Sequence, residues 1–384
     1  MGLPVQLIWA TALYLAGGWQ AEQPQWRRYA TDHFEMFTPA EPGLARQAVG
    51  HLEGVWIRLL SGQHPGMRAP AGRFKVIVFS SERDYARFRA GPGSPAYFVG
   101  GPDGGFVVLG RLTKHSPALL THETVHAFLR SSGASYPWWV EEGLAEQIAR
   151  PLHGRLDGSN AAFLAQHCSR PPGANDLAAC YAAARRQVAF LLAAHAGTAK
   201  FNRAIGFAVA PLADAGTQWD GSIYEEDASW SVHVELAELL ARLGRTGEAV
   251  EEWSLGPPDG GALRAIGLQA IARGRPDEGL NLLSQAYRLG DRDPSMLRAL
   301  AAAEQSAPTG GFFEYMEALV AADPADDASR LVLASHYLFR GDRESARRHL
   351  AAIQEVPPPQ RDYFRRAVLA AGLNLPNQTF HTAD

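Results

Sequence analysis

Two histidines four residues apart bracket a glutamate in the run His122-Glu123-Thr124-Val125-His126. On an α-helix, residues i and i+4 rise from one face, one turn apart. Ser116-Pro117 supplies an N-cap and a first-turn proline for such a helix, which runs to about Arg130, with Gly133 and Pro137 to end it. Two imidazoles so placed reach one zinc ion at about 2.0–2.1 Å, and the glutamate after the first histidine reaches the water in the open position. A catalytic zinc takes a third protein ligand. Trp138 to about Ile148 reads as a second helix starting after Pro137. Running back beside the first, it turns Glu142 to the metal. Glu146, one turn on, then accepts a hydrogen bond from a ligand histidine and fixes its tautomer. Glu141 is a rival ligand, pointing about 100° round the helix from Glu142. His115 precedes the cap and is expected to point elsewhere. The bland alternative is a surface or interface helix with two incidental histidines.

Around this pair the chain reads as mixed. Arg27 to Thr38 carries a strand signal, alternating polar and apolar from His33 onward. Pro42 to Ser61 spaces Leu44, Ala48, Leu52, Val55, Trp56 and Leu59 as one face of a helix. Phe74 to Phe79 is a short buried strand, Glu82 to Arg89 a short helix, Gly100 to Gly105 a turn, and Phe106 to Leu109 another strand. Strands followed by helices give an α+β arrangement. From about Glu225 strands give way to helical hairpins. Leu243-Gly244-Arg245-Thr246-Gly247-Glu248-Ala249 is echoed by Arg273-Gly274-Arg275-Pro276-Asp277-Glu278-Gly279 and by Arg340-Gly341-Asp342-Arg343-Glu344-Ser345-Ala346. Gly244 to Gly274 is 30 positions and Gly274 to Gly341 is 67, about twice the roughly 34-residue period of tetratricopeptide repeats. The segments resemble divergent repeats of that kind, with the unmarked unit over about Pro294 to Asp323. The competing reading is an ordinary α-helical domain with chance Gly-Arg turns.

A chain of 384 residues, 46% hydrophobic and 20% charged, is long enough for two or three globular domains. Its formal net charge of -4 and lack of a basic run exclude a nucleic-acid footprint. Leu3 to Gly18 is nearly free of charge and too short for a confident membrane span. It reads as a signal-peptide core with cleavage near Ala21, although no Lys or Arg precedes it; the alternative is a buried N-terminal helix. Export would let the two cysteines, Cys168 and Cys180, pair; as buried thiols they need no partner.

His-Glu-Thr-Val-His followed by Trp139-Val140-Glu141-Glu142-Gly143-Leu144-Ala145-Glu146 resembles the gluzincin clan of metallopeptidases, above all the bacterial "peptidase MA-like" group, over roughly residues 26 to 205. Members of that group often begin with a strand like Thr31 to Phe37 and often continue into tetratricopeptide repeats. The resemblance implies an α+β zincin-like metallopeptidase domain over 22–220, after a signal peptide over 1–21. An all-α tetratricopeptide-like domain over 225–372 and a tail over 373–384 follow. It implies one zinc ion on His122, His126 and Glu142, Glu123 as catalytic base, and a Tyr or His to stabilise the oxyanion. Tyr181, placed at the start of a helix running to His195, is the candidate, with His153, His167 and His195 behind it. In that clan an edge strand at the place of Phe106 to Leu109 binds extended substrate; the alternative is a plain sheet strand. The aminopeptidases of the clan carry Asn before the ligand glutamate, a longer spacer and a Gly-x-Met-Glu-Asn-like motif, none of which is present here. An endopeptidase is therefore the default, acting on peptide or protein substrate, exported to the periplasm or beyond, with the repeats taking a substrate or protein partner. The rival class is a secreted repeat scaffold with an inactive peptidase-like domain.

Overall fold

The computed structural model describes residues 25–61, 72–91, 93–101, 104–131, 136–151, 160–168, 176–193, 219, 221–306 and 310–373. The expected signal peptide, His153, His195 and all but the first residue of the expected tail lie outside them. The chain divides into two compact units, Met1–Val232 and His233–Asp384.

The first unit is built on one mixed sheet. β1 (Arg27–Ala30) and β2 (Phe34–Thr38) form an antiparallel hairpin rather than one strand. The chain turns because Thr31 donates both its N–H and its hydroxyl to the Phe34 carbonyl, at 2.9 and 3.2 Å. Helix α1 (Pro42–Ser61) crosses over to β3 (Phe74–Val78), which lies parallel to β2. After the short α2 (Glu82–Ala86), a second hairpin, β4 (Ala96–Gly101) and β5 (Gly104–Leu109), sets β5 parallel to β3. The final strand, β6 (Tyr224–Asp227), returns from far along the chain to pair antiparallel with β1. The order is β4-β5-β3-β2-β1-β6.

Two of these strands depart from the sequence reading. β4 falls in a stretch given no element, and it takes the edge, so the Phe106–Leu109 strand is internal. β6 begins where strands were expected to have ended. Its charges explain the pairing: Glu225 bonds Arg27 and Arg46, and Glu226 bonds Arg28 at 2.6 Å.

Helices α3 (Ser116–Ser131) and α4 (Trp138–Ala149) follow the sheet, then α5 (Ala161–His167) and α6 (Leu177–Ala193). The Ser116 hydroxyl accepts from the Thr113 N–H at 2.7 Å rather than from the first turn of α3. The core under α3 centres on Trp56, fully buried, with ring centroids of Phe74, Phe128 and Phe34 at 5.1, 5.4 and 5.6 Å. Phe128 belongs to α3, as do the buried Leu120, Val125 and Leu129. Each such side chain contributes about 1.5–3 kcal/mol by leaving water. One face of α3 is thus anchored, and the adjoining face carries His122 and His126.

The second unit is a run of helical hairpins: α7 (Val232–Arg242) with α8 (Thr246–Trp253), α9 (Gly260–Ala272) with α10 (Pro276–Arg288), α11 (Pro294–Ser306) with α12 (Phe312–Ala322), and α13 (Asp327–Phe339) with α14 (Arg343–Ala351). A last helix, α15 (Arg361–Ala371), follows. The unmarked middle unit is thus a hairpin like the others. Gly244, Gly274 and Gly341 have φ of +82°, +77° and +82°, a conformation that costs a residue with a Cβ but not glycine. Behind each glycine the next N–H reaches back five residues: Arg245 to Leu240, Arg275 to Ala270, Asp342 to Tyr337. This pattern closes a helix with a left-handed residue, so the three repeated glycines mark the same turn, which recurs at Gly290 and Gly372. No described helix is long and apolar enough to cross a membrane.

Candidate metal centre

Helix α4 lies against α3, and α6 lies against α4. The first contact brings Glu142 to the histidines. His122 Nε2 and His126 Nε2 are 3.1 Å apart, and Glu142 Oε2 is 3.2 Å from the first and 3.4 Å from the second. Among the described residues these three form the cluster whose ligand atoms lie within 4.8 Å of one another. Tetrahedral bonds of 2.0–2.1 Å put ligand atoms about 3.3–3.4 Å apart, so the triangle has the size such an ion needs.

The donor chemistry agrees. Glu142 Oε2 is buried and makes no directed hydrogen bond, despite its closeness to both imidazoles. The two imidazole nitrogens are within hydrogen-bond reach of each other. Burial works against the His122 imidazolium, but the neighbouring carboxylates of Glu142, Glu146 and Glu123 outweigh it and push its pKa up to about 10. Burial likewise opposes the Glu142 carboxylate, yet the two histidines hold its pKa well below the usual range. The two histidines and the buried carboxylate are a set that could hold a divalent cation.

Glu146 Oε1 lies 3.3 Å from His122 Nδ1, although off the hydrogen-bond direction, since Nδ1 is buried without a directed partner. It also pairs with Arg150 at 3.3 Å. Glu123 is buried beside the cluster, close to the Phe98 backbone on edge strand β4. Burial raises its pKa, and Glu142 adds to that, while His122 and His126 oppose it. Glu141 turns away to Arg130, accepting from Nη2 at 3.0 Å and from Nε at 3.3 Å.

Tyr181 lies in the second turn of α6, which begins at Leu177 rather than at the tyrosine. Its ring centroid is 6.3 Å from that of His122 and 5.3 Å from that of Trp138. Burial, then the carboxylates of Glu142, Glu123 and Glu146, keep its hydroxyl protonated far above the ordinary range. Just ahead of it, Cys180 forms a disulfide with Cys168 at the end of α5, Sγ–Sγ 2.10 Å, so of the two readings of the cysteines the paired one holds. His167 is not brought to the cleft: its ring packs on Phe163. His115 is exposed ahead of α3.

The cluster opens into a cleft of about 420 Å³, walled on one side by Tyr97, Phe98 and Val99 of β4 and on the other by Trp138 and Tyr181. The tightness of the α4–α6 contact depends on Gly143. A Cβ there would come within 2.6 Å of Val188 Cγ2 and 2.7 Å of the Ala184 carbonyl oxygen. Sequence reasoning missed β4 as a wall, the Glu123–Phe98 contact and the Arg130–Glu141 pair. Only the last left a trace, in the charge of the two residues.

No protein-family model matches the chain, and no curated protein sequence matches it. Among solved structures, the crystal structure of YrrB, a TPR protein with an unusual peptide-binding site, is similar at 17% identity over 36% of this chain and 75% of its own, with a TM-score of 0.29.

Proposed function

We propose that this chain is a zinc-dependent peptidase of the gluzincin kind, with a zincin-like first unit and endopeptidase action. The observation that carries the proposal is the triangle of His122, His126 and Glu142, with edges of 3.1–3.4 Å, beside the buried carboxyl of Glu123. The three ligands would hold one zinc ion, which would polarise a peptide carbonyl and acidify a water molecule. Glu123 takes the proton of the attacking water and passes it to the leaving amine, the task a desolvated carboxyl with raised pKa is suited to. Tyr181, protonated and at the cleft wall, donates to the oxygen that gains negative charge. Glu146, with Oε1 3.3 Å from His122 Nδ1, would steady that imidazole by its charge. Trp138 and the β4 side chains keep water from the far side of the cleft.

The helical hairpins of the second unit, read as tetratricopeptide-like repeats, offer an extended surface for a substrate or protein partner. The Cys168–Cys180 disulfide supports export to the periplasm or beyond. A scaffold with an inactive peptidase-like unit would have no need of the whole set His122, Glu123, His126, Glu142 and Glu146 in register.

The test is zinc stoichiometry together with peptide cleavage, for the wild type and Glu123→Gln. The expected result is one zinc per chain in both proteins, with cleavage reduced by about 10²–10⁴-fold in the variant. A folded wild type that takes up no zinc sinks the reading.

A further inference from the structure

Arg130 is unexplained by the proposed chemistry. It stands one turn beyond His126 in the last turn of α3, on the same side of the helix, and lines the same cleft. A basic residue at a helix C-terminus has a favourable field, but that does not account for what holds it. Glu141 points into Arg130 from α4 with only 9% of its side chain exposed, whereas the Arg130 side chain is 54% exposed. A glutamate loses its hydration when buried, and an exposed ion pair returns little. As a stabilising device the pair is therefore poor. As a clamp it is effective: Nε and Nη2 both donate to Glu141 Oε2, which fixes the plane of the guanidinium.

A guanidinium carries five N–H donors in a rigid fork. Two are spent on Glu141, and Nη1 has no partner among the described residues. Among the described residues, the other ionisable groups lining the cleft are carboxyls, phenols and the two ligand histidines, so Arg130 is the fixed cation of that set. A planar fork pinned at one edge and open at the other suits a carboxylate, which it meets with two parallel hydrogen bonds.

We propose that Arg130, held by Glu141, is a specificity residue that selects substrates bearing a carboxylate close to the bond that is cut. The inference rests on the peptidase reading above. One helical turn rises about 5.4 Å, and an extended peptide advances about 3.3–3.6 Å per residue. The recognised carboxylate is therefore within about two residues of the scissile bond. It belongs either to an Asp or Glu side chain or to a free C-terminus, and the experiment separates the two.

The probes are N-acetylated hexapeptides of Ala and Gly with one Glu or one Gln moved through each position, each made as the C-terminal acid and as the amide. Cleavage is followed with the zinc-loaded full chain. Binding is followed by calorimetry with Glu123→Gln, which holds peptide without turning it over. Loss of one charge-assisted contact is expected to cost about 10–100-fold. A preference for Glu over Gln among the amides assigns a side-chain carboxylate; a preference for acid over amide in the Gln series assigns the C-terminus.

Either preference falls to about one when Arg130→Gln is added. It falls equally in Arg130→Gln/Glu141→Gln, which leaves no buried charge unpaired. One zinc per chain in each variant shows that the cluster is intact. Peptides cleaved or bound without regard to a carboxylate overturn the inference while the peptidase reading stands, as does a preference that survives both variants. Carboxylate-selective binding that depends on Arg130, with no peptide cleaved by the wild type, upholds Arg130 as the carboxylate-binding residue and fails the peptidase reading.

Discussion

Gly143→Ala tests how the cleft is built. The added Cβ would sit 2.6 Å from Val188 Cγ2 and 2.7 Å from the Ala184 carbonyl oxygen, where carbon atoms ordinarily rest about 3.5–4.0 Å apart. Neither obstacle yields easily. Val188 is buried, and β-branching stiffens its χ1. The carbonyl belongs to the backbone of α6. Relief therefore requires α6 to move off α4 by roughly 0.5–1 Å. Overpacking of this kind costs about 1–3 kcal/mol, and Ala in place of a helical Gly returns up to about 1 kcal/mol.

The net loss, about 1 kcal/mol, lowers Tm by about 2–4 °C for a unit of this size. The larger effect falls on the site, because α6 carries Tyr181 while α4 carries Glu142. A displacement of about 1 Å at a reacting centre costs about 100-fold. The expected outcome is kcat/KM down by about that factor, with zinc affinity, set by the α3–α4 contact, changed much less. Thermal melting, zinc competition with a chelator and peptide cleavage read the three quantities. Adding Val188→Ala removes the methyl but leaves the carbonyl, so it restores only part of the loss. A Gly143→Ala protein that melts no lower and cleaves within threefold of the wild type would show that α4 and α6 are not close-packed as described.

Two further outcomes concern the frame around the site. Glu53 is fully buried and accepts from the His33 N–H at 2.7 Å and from its ring Nδ1 at 2.8 Å; Glu53→Ala leaves these donors without a partner and should cost about 3 kcal/mol in urea denaturation, and a loss below about 1 kcal/mol would contradict it. His51 bridges α1 to α3, its Nε2 lying 3.0 Å from the Pro117 carbonyl oxygen and 2.9 Å from Thr121 Oγ1. Burial lowers its pKa, against the Pro117 hydrogen bond, so the folded protein favours the neutral ring. As pH falls below about 6.5 the unfolded chain takes up the proton first, and stability declines from there down to the lower folded pKa. His51→Gln should flatten that decline between about pH 7.5 and pH 5.5; an unchanged slope argues against the bridge.

What was legible in the sequence follows the reach of each signal. The helical period placed His122, His126, Glu142 and Glu146 on facing sides of two consecutive helices, because only one short turn separates them. The hairpin glycines were legible because positive φ leaves its own residue type. β4 was not: Gly91, Gly93, Ser94 and Pro95 make the approach to it read as loop. β6 was harder still, since Tyr224-Glu225-Glu226-Asp227 has no apolar alternation. What pairs it is charge on Arg27, Arg28 and Arg46, invisible to any local window. The Arg130–Glu141 clamp lay in plain view as two charges, but only the burial of one of them gives it meaning.

The pairing of β6 with β1 also sets an order of assembly. The Arg28–Glu226 bond joins residues 198 positions apart. At about 5–20 residues per second, synthesis takes about 10–40 s to span that gap. Throughout that time the outer edge of β1 is an open ladder, a template for strands of other chains. A nascent chain stopped just short of Tyr224 would already hold every residue of the metal cluster, yet its sheet would still be unsealed. Ribosome stalling or premature termination in that window should therefore yield aggregates rather than a smaller soluble protein.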